Sequence, residues 1–282
     1  MKNSYEKIND RSRIINSMVG VGLDTLASNI PEDFFWSEKV DDVAERIFRF
    51  NEAVMTAVWS SVVDVKVNSS FYMWSAERAA LKATFQLLRG KYPHIFTICD
   101  GKFGDVGHTS EELARYVFDE LGADAIMVNP YMGSDSIDVF SRRKDKGVVV
   151  CVNTSNPTAG EVQELILENG LSLWQHILMQ SMGKWNMNWN IIPVLSSTHP
   201  ANLAWVRGVV WDAPIVLAGA GLQGWNLSDS LPYCIRPSDR KWVMISSSRW
   251  IIHAPRNDGE SYTEAMQRVV NTMREEVNKI AW

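Results

Sequence analysis

The chain has 282 residues, 46% hydrophobic and 22% charged, with a formal net charge of −5. That is enough apolar material for one large core, and it excludes the disordered and fibrous classes. The charge is mild and mixed, without the basic blocks that follow a phosphate backbone, so no nucleic-acid partner is expected.

The opening stretch, MKNSYEKINDRSRI, lacks the apolar core of a signal peptide, and no later run has the length needed to span a bilayer. A cytoplasmic protein without a membrane partner is expected. Short apolar runs follow at 19–23, 62–67, 95–99, 125–128, 148–152, 191–195, 215–218 and 242–245, each ending in small or polar residues. Near-continuous apolar runs of this length predict parallel strands shielded on both faces. Between the runs, Val43, Ile47 and Phe50 recur at helical spacing, as do Leu113, Val117 and Leu121, and then Met266, Val270, Met273 and Val277. The segment Thr109-Ser-Glu-Glu112 has the pattern of a capping box and predicts the start of the helix after the third strand.

Strand and helix therefore alternate from end to end. The fold class is α/β, and the prediction is a single-domain (β/α)8 TIM barrel, ahead of a doubly wound open sheet that uses much the same alternation. The longest connection, 158–190, carries one helix and the stretch Lys184-Trp-Asn-Met-Asn-Trp-Asn190, and it is expected to form an insertion on the barrel rim. Cys99, Cys151 and Cys234 are widely spaced, which fits a reducing compartment. Cys99 and Cys151 lie in apolar runs and are expected in the core. The sequence offers no periodic reason for its 12 tryptophans.

In a barrel of this kind, residues just past the C-terminal ends of the strands point into one mouth, where sites are built. Those positions carry Asp24, Lys66, Asp100 with Lys102, Asn129, Thr154 with Ser155, residues 196–198, a Gly-rich turn at 219–224 and residues 246–249. Asp100 and Lys102 are two apart, so strand periodicity sends both side chains to one side. Opposite charges about 4 Å apart attract by roughly 4 kcal/mol at a surface-like dielectric, enough to keep a cluster of Lys66, Asp100, Lys102 and Asp105 ionised. Taken alone, the same run also reads as an exposed salt-bridge cluster.

The run Asp100-Gly-Lys-Phe-Gly-Asp-Val-Gly-His-Thr109 resembles the D-A-K-R-G-D-I-G-N-T signature of orotidine monophosphate decarboxylases, especially the longer bacterial type. Further segments follow in that family's order: Val21-Gly-Leu-Asp24, Asp64-Val-Lys66, Val128-Asn-Pro-Tyr-Met-Gly133, Thr154-Ser-Asn-Pro157, Gly219-Ala-Gly-Leu-Gln-Gly224 and Ser247-Ser-Arg249. The resemblance implies decarboxylation of orotidine 5′-monophosphate to UMP with neither cofactor nor metal. It assigns Lys102 as proton donor to the ring carbon and Asp100 as the carboxylate set against the substrate carboxylate, with Lys66 bridging Asp100 and the ribose. Asp24 is implied to bind a ribose hydroxyl, and Ser155 the pyrimidine amide. At the last two strand ends, Gly219, Gly221 and Gly224 let backbone amides approach a phosphate and Arg249 offers a charged donor fork, while Gln223 resembles the family residue that closes over phosphate and base. Asp105 and Thr109 resemble residues that reach into a neighbouring subunit, which implies a homodimer with shared sites.

The sequence departs from the family pattern at Val67, Asn153 and Ala218, which flank the charged residues. His108 stands where the family tends to have asparagine and is read as a turn residue. Two rival functions remain: a barrel that binds a nucleotide without turnover, and the magnesium-dependent sugar-phosphate enzymes of the same superfamily. The latter resemblance carries a glutamate at the second strand end, where this chain has Lys66, and a charged lysine cannot ligate a hard cation.

Overall fold

The apolar runs pair in the order in which they occur. In the computed structural model, which describes residues 3–35, 40–197, 200–219, 227–236, 239 and 242–281, they form β1 (Val19–Leu23), β2 (Asp64–Asn68), β3 (Phe96–Phe103), β4 (Ala125–Val128), β5 (Gly147–Cys151), β6 (Ile191–Ser196), β7 (Ile215–Ala218) and β8 (Val243–Ser247). Each strand is parallel to the next, and β8 returns to β1, so the sheet closes as a barrel with no free edge. The chain is a single-domain (β/α)8 barrel.

Helices cover the outside: α1 (Ser4–Ile15), α2 (Val43–Val58), α3 (Arg78–Lys91), α4 (Gly107–Ala114), α5 (Ser134–Ser141), α6 (Gly160–Gln163), α7 (Leu173–Met182), α8 (Pro200–Leu203), α9 (Val206–Val210), α10 (Leu227–Cys234), α11 (Arg249–Ile252) and α12 (Tyr262–Ala281). The predicted stripes are buried where the helices are regular, as with Ile47 and Phe50 on α2 and Met266, Val270, Met273 and Val277 on α12. None of the helices among the described residues is long and apolar enough to cross a membrane.

The capping box predicted at Thr109 does not form. Asp105 accepts from the amide of Val106 at 2.7 Å and Ser110 Oγ donates to the Asp105 carbonyl at 2.7 Å, so α4 begins at Gly107 with Val106 as its cap. Thr109 is thereby inside the helix, its own amide already donated to the Val106 carbonyl. Beyond Ala114 the helix widens into a π-helical stretch, Arg115–Glu120, which still buries Val117 and Phe118.

The end of the barrel away from the mouth is closed by α1. Tyr5 donates its hydroxyl to the Ile191 carbonyl, Lys7 pairs with Asp124 at 2.7 Å, and Arg11 donates to the carbonyls of Val62 and Trp59. The asparagines of the 184–190 stretch belong to this end too. The Asn186 side chain accepts from the amides of Asn190 and Ile191, each at 3.0 Å, and Asn190 donates to the carbonyls of Ser141 and Lys146, each at 2.9 Å. These buried amides pin the entry to β6.

Candidate active site

Register decides which side chains enter the mouth. Gly22 pairs with Lys66, Lys66 with Ile98, Asn68 with Asp100, and Asp100 with Met127, so these residues share the inner face of the sheet. Above them opens a cavity of about 610 Å³, lined by Asp24, Lys66, Asp100 and Lys102 on one side and by Ser155 and Cys151 on the other.

The charges form one continuous array. Lys66 Nζ lies 3.1 Å from Asp24 Oδ1 and 3.2 Å from Asp100 Oδ2, and Lys102 Nζ lies 3.1 Å from Asp100 Oδ1. Asp100 is nearly sealed, with its side chain 3% exposed, whereas that of Lys102 is 52% exposed and looks into the mouth. Burial alone pushes the Lys66 ammonium down, but the carboxylates of Asp24 and Asp100 outweigh it and hold the group above its ordinary value. Lys66 is thus a fixed cation.

Strand periodicity does not carry Lys102 to this position. Asp100 is opposite Met127 but Phe103 is opposite Val128, so the register shifts between them and alternation is broken. Lys102 sits at φ 45°, a left-handed conformation unusual for a side chain of this size. A non-glycine residue in that region stores strain, commonly where function requires it.

The mouth is braced from behind. Ser69 Oγ donates to the Asp100 carbonyl at 3.0 Å. Tyr72 donates to the Leu23 carbonyl at 3.0 Å, and buried Asn51 links Tyr72, Thr25 and Thr84 at 2.9, 2.7 and 2.9 Å, tying the end of β1 to α2 and α3. Across the cavity, Gly219 has φ +82°, and a Cβ on it would stand 3.0 Å from Ser155 Cβ, so both backbone and space call for glycine.

A model of the orotidine 5′-phosphate decarboxylase / HUMPS family matches residues 47–182. Orotidine 5′-phosphate decarboxylase of Cellvibrio japonicus is 31% identical over 263 residues, 93% of each chain, and that of a Janthinobacterium strain is 34% identical over 83% of this chain and 85% of its own. The chain belongs to the orotidine 5′-phosphate decarboxylase family. The solved OMP decarboxylase of Leishmania donovani superposes with a TM-score of 0.82 at 26% identity, covering 99% of both chains.

Not every residue expected in a decarboxylase site joins this one. Asp105 has no cation within salt-bridge distance among the described residues, and neither it nor Thr109 lines the cavity. Arg249 opens α11 just past β8 and is exposed. Gly221 and Gln223 lie outside the described residues. Cys151, expected in the core, instead lines the cavity because it sits at the inner-face position of β5, and burial pushes its thiol up to about 12. Cys99 is buried as expected.

Sequence reading missed Gln163. Its side chain accepts from the Thr154 amide at 2.9 Å and from Asn153 at 3.3 Å, and donates to Thr154 Oγ1 at 2.7 Å, which ties the loop before Ser155 to α6. It also missed Asn68, which lines the cavity and caps the turn after β2 by accepting from the Ser70 amide at 3.2 Å. The alternation that picks out Lys66 marks Asn68 as well, two residues on. Nothing local marks Gln163, since its partners lie nine and ten residues back.

Proposed function

We propose that this chain decarboxylates orotidine 5′-monophosphate to UMP, with Lys66, Asp100 and Lys102 as the residues that carry the reaction. The observation that supports this most is the sealed Asp100 carboxylate held between two ammonium groups at 3.1–3.2 Å. In this reading the substrate carboxylate is set against Asp100. The carbon–carbon bond breaks, carbon dioxide leaves, and the electron pair stays on the ring carbon. The Lys102 ammonium stabilises that developing charge and transfers its proton to the same carbon. The most proficient enzymes supply about 23 kcal/mol of transition-state stabilisation, more than one ammonium can provide, so binding of the distant phosphate must contribute.

The phosphate is assigned to Gly219, Gly221, Gln223 and Arg249, at the ends of the last two strands, the usual phosphate position of a barrel. Asp24 is assigned to the ribose and Ser155 to the base. Lys66 also favours this reading over a magnesium-dependent sugar-phosphate enzyme, because an ammonium paired with two carboxylates occupies the position where a hard cation needs an oxygen donor.

The working unit is a homodimer. Met73, Trp74, Val106, Tyr131 and Met132, on the loops after β2, β3 and β4, are exposed beside the mouth and form an apolar rim suited to a second copy. The open side of Lys102 then receives the partner subunit's Asp105, and the partner's Thr109 contacts the ribose. The first part of the long connection, 158–182, serves as a rim element on the other side, since Val162, Gln163, Leu173 and Ile177 line the cavity, whereas 184–190 lies at the opposite end. The test is loss of orotate absorbance when the purified protein meets orotidine monophosphate. Wild type turns over, and Lys102→Ala binds UMP without turnover. Turnover of a sugar phosphate only, or full activity in Lys102→Ala, overturns the assignment.

A further inference from the structure

One carboxylate inside the barrel has no part in the reaction described so far. Asp64 opens β2 two residues before Lys66, on the same inner face and one layer deeper. It is fully buried, and neither of its oxygens has a hydrogen-bond partner. The neighbouring strand makes room for it: a Cβ on Gly20 of β1 would stand 2.2 Å from Asp64 Oδ1. A barrel core closed by apolar side chains has no need of such a group, and an unpaired buried carboxylate is costly.

The groups around it are few. Lys66 is the charged group that acts on it. On β3 the register sets Phe96 opposite it and Ile98 opposite Lys66, while β1 and β8 pair Gly20 with Ser246. Arg11, which reaches the start of β2 from α1, is committed to the carbonyls of Val62 and Trp59. Asp24 and Asp100 stand above, on the far side of the Lys66 ammonium.

We propose that Asp64 is a positioning residue: its protonation state sets how firmly Lys66 is held against Asp24 and Asp100, and so couples affinity for the anionic nucleotide to pH from beneath the site. This rests on the functional reading above. With Asp64 protonated, Lys66 belongs to the two upper carboxylates, as in the structure. With Asp64 ionised, the ammonium is shared with a third carboxylate, and a negative charge is added to a dry space below a negatively charged ligand. Burial pushes Asp64 up to about 7, against the pull of Lys66, so the change falls near neutrality.

The test compares UMP affinity of wild type, Asp64→Asn and Asp64→Ser between pH 6 and 8. Titration of the UMP phosphate is common to all three proteins and cancels in the ratios. The ratio of wild-type to variant affinity should fall by about threefold or more as pH rises, and a constant ratio overturns the proposal. The second arm needs no ligand or turnover, so it separates failure here from failure of the functional reading. Carboxyl-carbon NMR of aspartate-labelled wild type should show a resonance, absent from the Asp64 variants, titrating near neutrality, with its midpoint raised in Lys66→Met. A midpoint in the ordinary carboxylate range, or one indifferent to Lys66, overturns the proposal equally.

Discussion

Replacing Lys66 with methionine keeps most of the apolar stem and removes the ammonium with its charge and its hydrogen-bond donors. At 3.1 and 3.2 Å, and at an effective dielectric of about 20, each of its two ion pairs is worth roughly 5 kcal/mol before desolvation is counted. Desolvation offsets much of this, but once the ammonium is gone Asp100 remains buried as a carboxylate, and breaking a buried pair costs about 3–5 kcal/mol. Lys102 still contacts Asp100, which points to the lower end, about 3 kcal/mol. For a chain of this size that is a fall of about 5 °C in the melting temperature. Thermal melts at pH 7.5 measure it directly. The double variant Lys66→Met/Asp100→Asn removes the orphaned charge and should recover most of the loss, while neither protein turns over substrate. A single variant that melts with wild type, or a double variant no more stable than the single one, refutes the description of Lys66 as the cation that holds the two carboxylates together. Because the folded state raises the Lys66 value, the pair's contribution is complete at neutral pH and is lost as pH climbs through that raised value. The gap between wild type and Lys66→Met should therefore narrow once the pH climbs past the ordinary lysine value of 10.5.

Asp64 gives a pH dependence confined to a different window. A carboxyl raised to about 7 stabilises the fold fully below its unfolded value near 4, and that contribution is lost as pH rises to 7. Asp64→Asn should thus match wild type near pH 4 and be more stable at pH 8, by on the order of 2–4 kcal/mol in urea melts. Gly219→Ala forces a left-handed alanine against Ser155, and KM should rise roughly tenfold for about 1–2 kcal/mol of strain, with the fold unchanged by circular dichroism. Gln163→Ala removes three hydrogen bonds from the Asn153–Thr154 turn, and steady-state kinetics should show KM rising severalfold with a smaller change in kcat. Trp74→Asp places a charge in the apolar rim, and sedimentation should show monomers with most activity lost. A fully active monomer would refute the shared site.

The barrel was legible because its strands are apolar on both faces, and such runs stand out between amphipathic helices. Three of them, β1, β4 and β7, have the bounds read from the sequence. The third was read as ending at residue 99, where the apolar run stops, yet pairing with β4 continues past the polar residues to Phe103. The start of α4 was misread because the Thr109 pattern is local, whereas the cap is decided by how Asp105 and Ser110 fold back on the turn. Asn190 was read as part of a rim insertion because its partners, the carbonyls of Ser141 and Lys146, lie 49 and 44 residues back and are invisible in the local pattern.

What the chain order alone determined is position: Asp24, Lys66 and Asp100 each stand at or just past the end of an apolar run, the end at which a parallel barrel gathers side chains into one mouth. Closure of the sheet then had to bring the Lys66 ammonium to 3.1 and 3.2 Å from the Asp24 and Asp100 carboxylates, and only the folded barrel does that. The left-handed turn at Lys102, the room that Gly20 leaves for Asp64 and the brace from Gln163 were likewise decided in three dimensions. Each depends on a backbone torsion or on a neighbour far along the chain, and neither is encoded in the hydrophobic pattern from which the barrel was read.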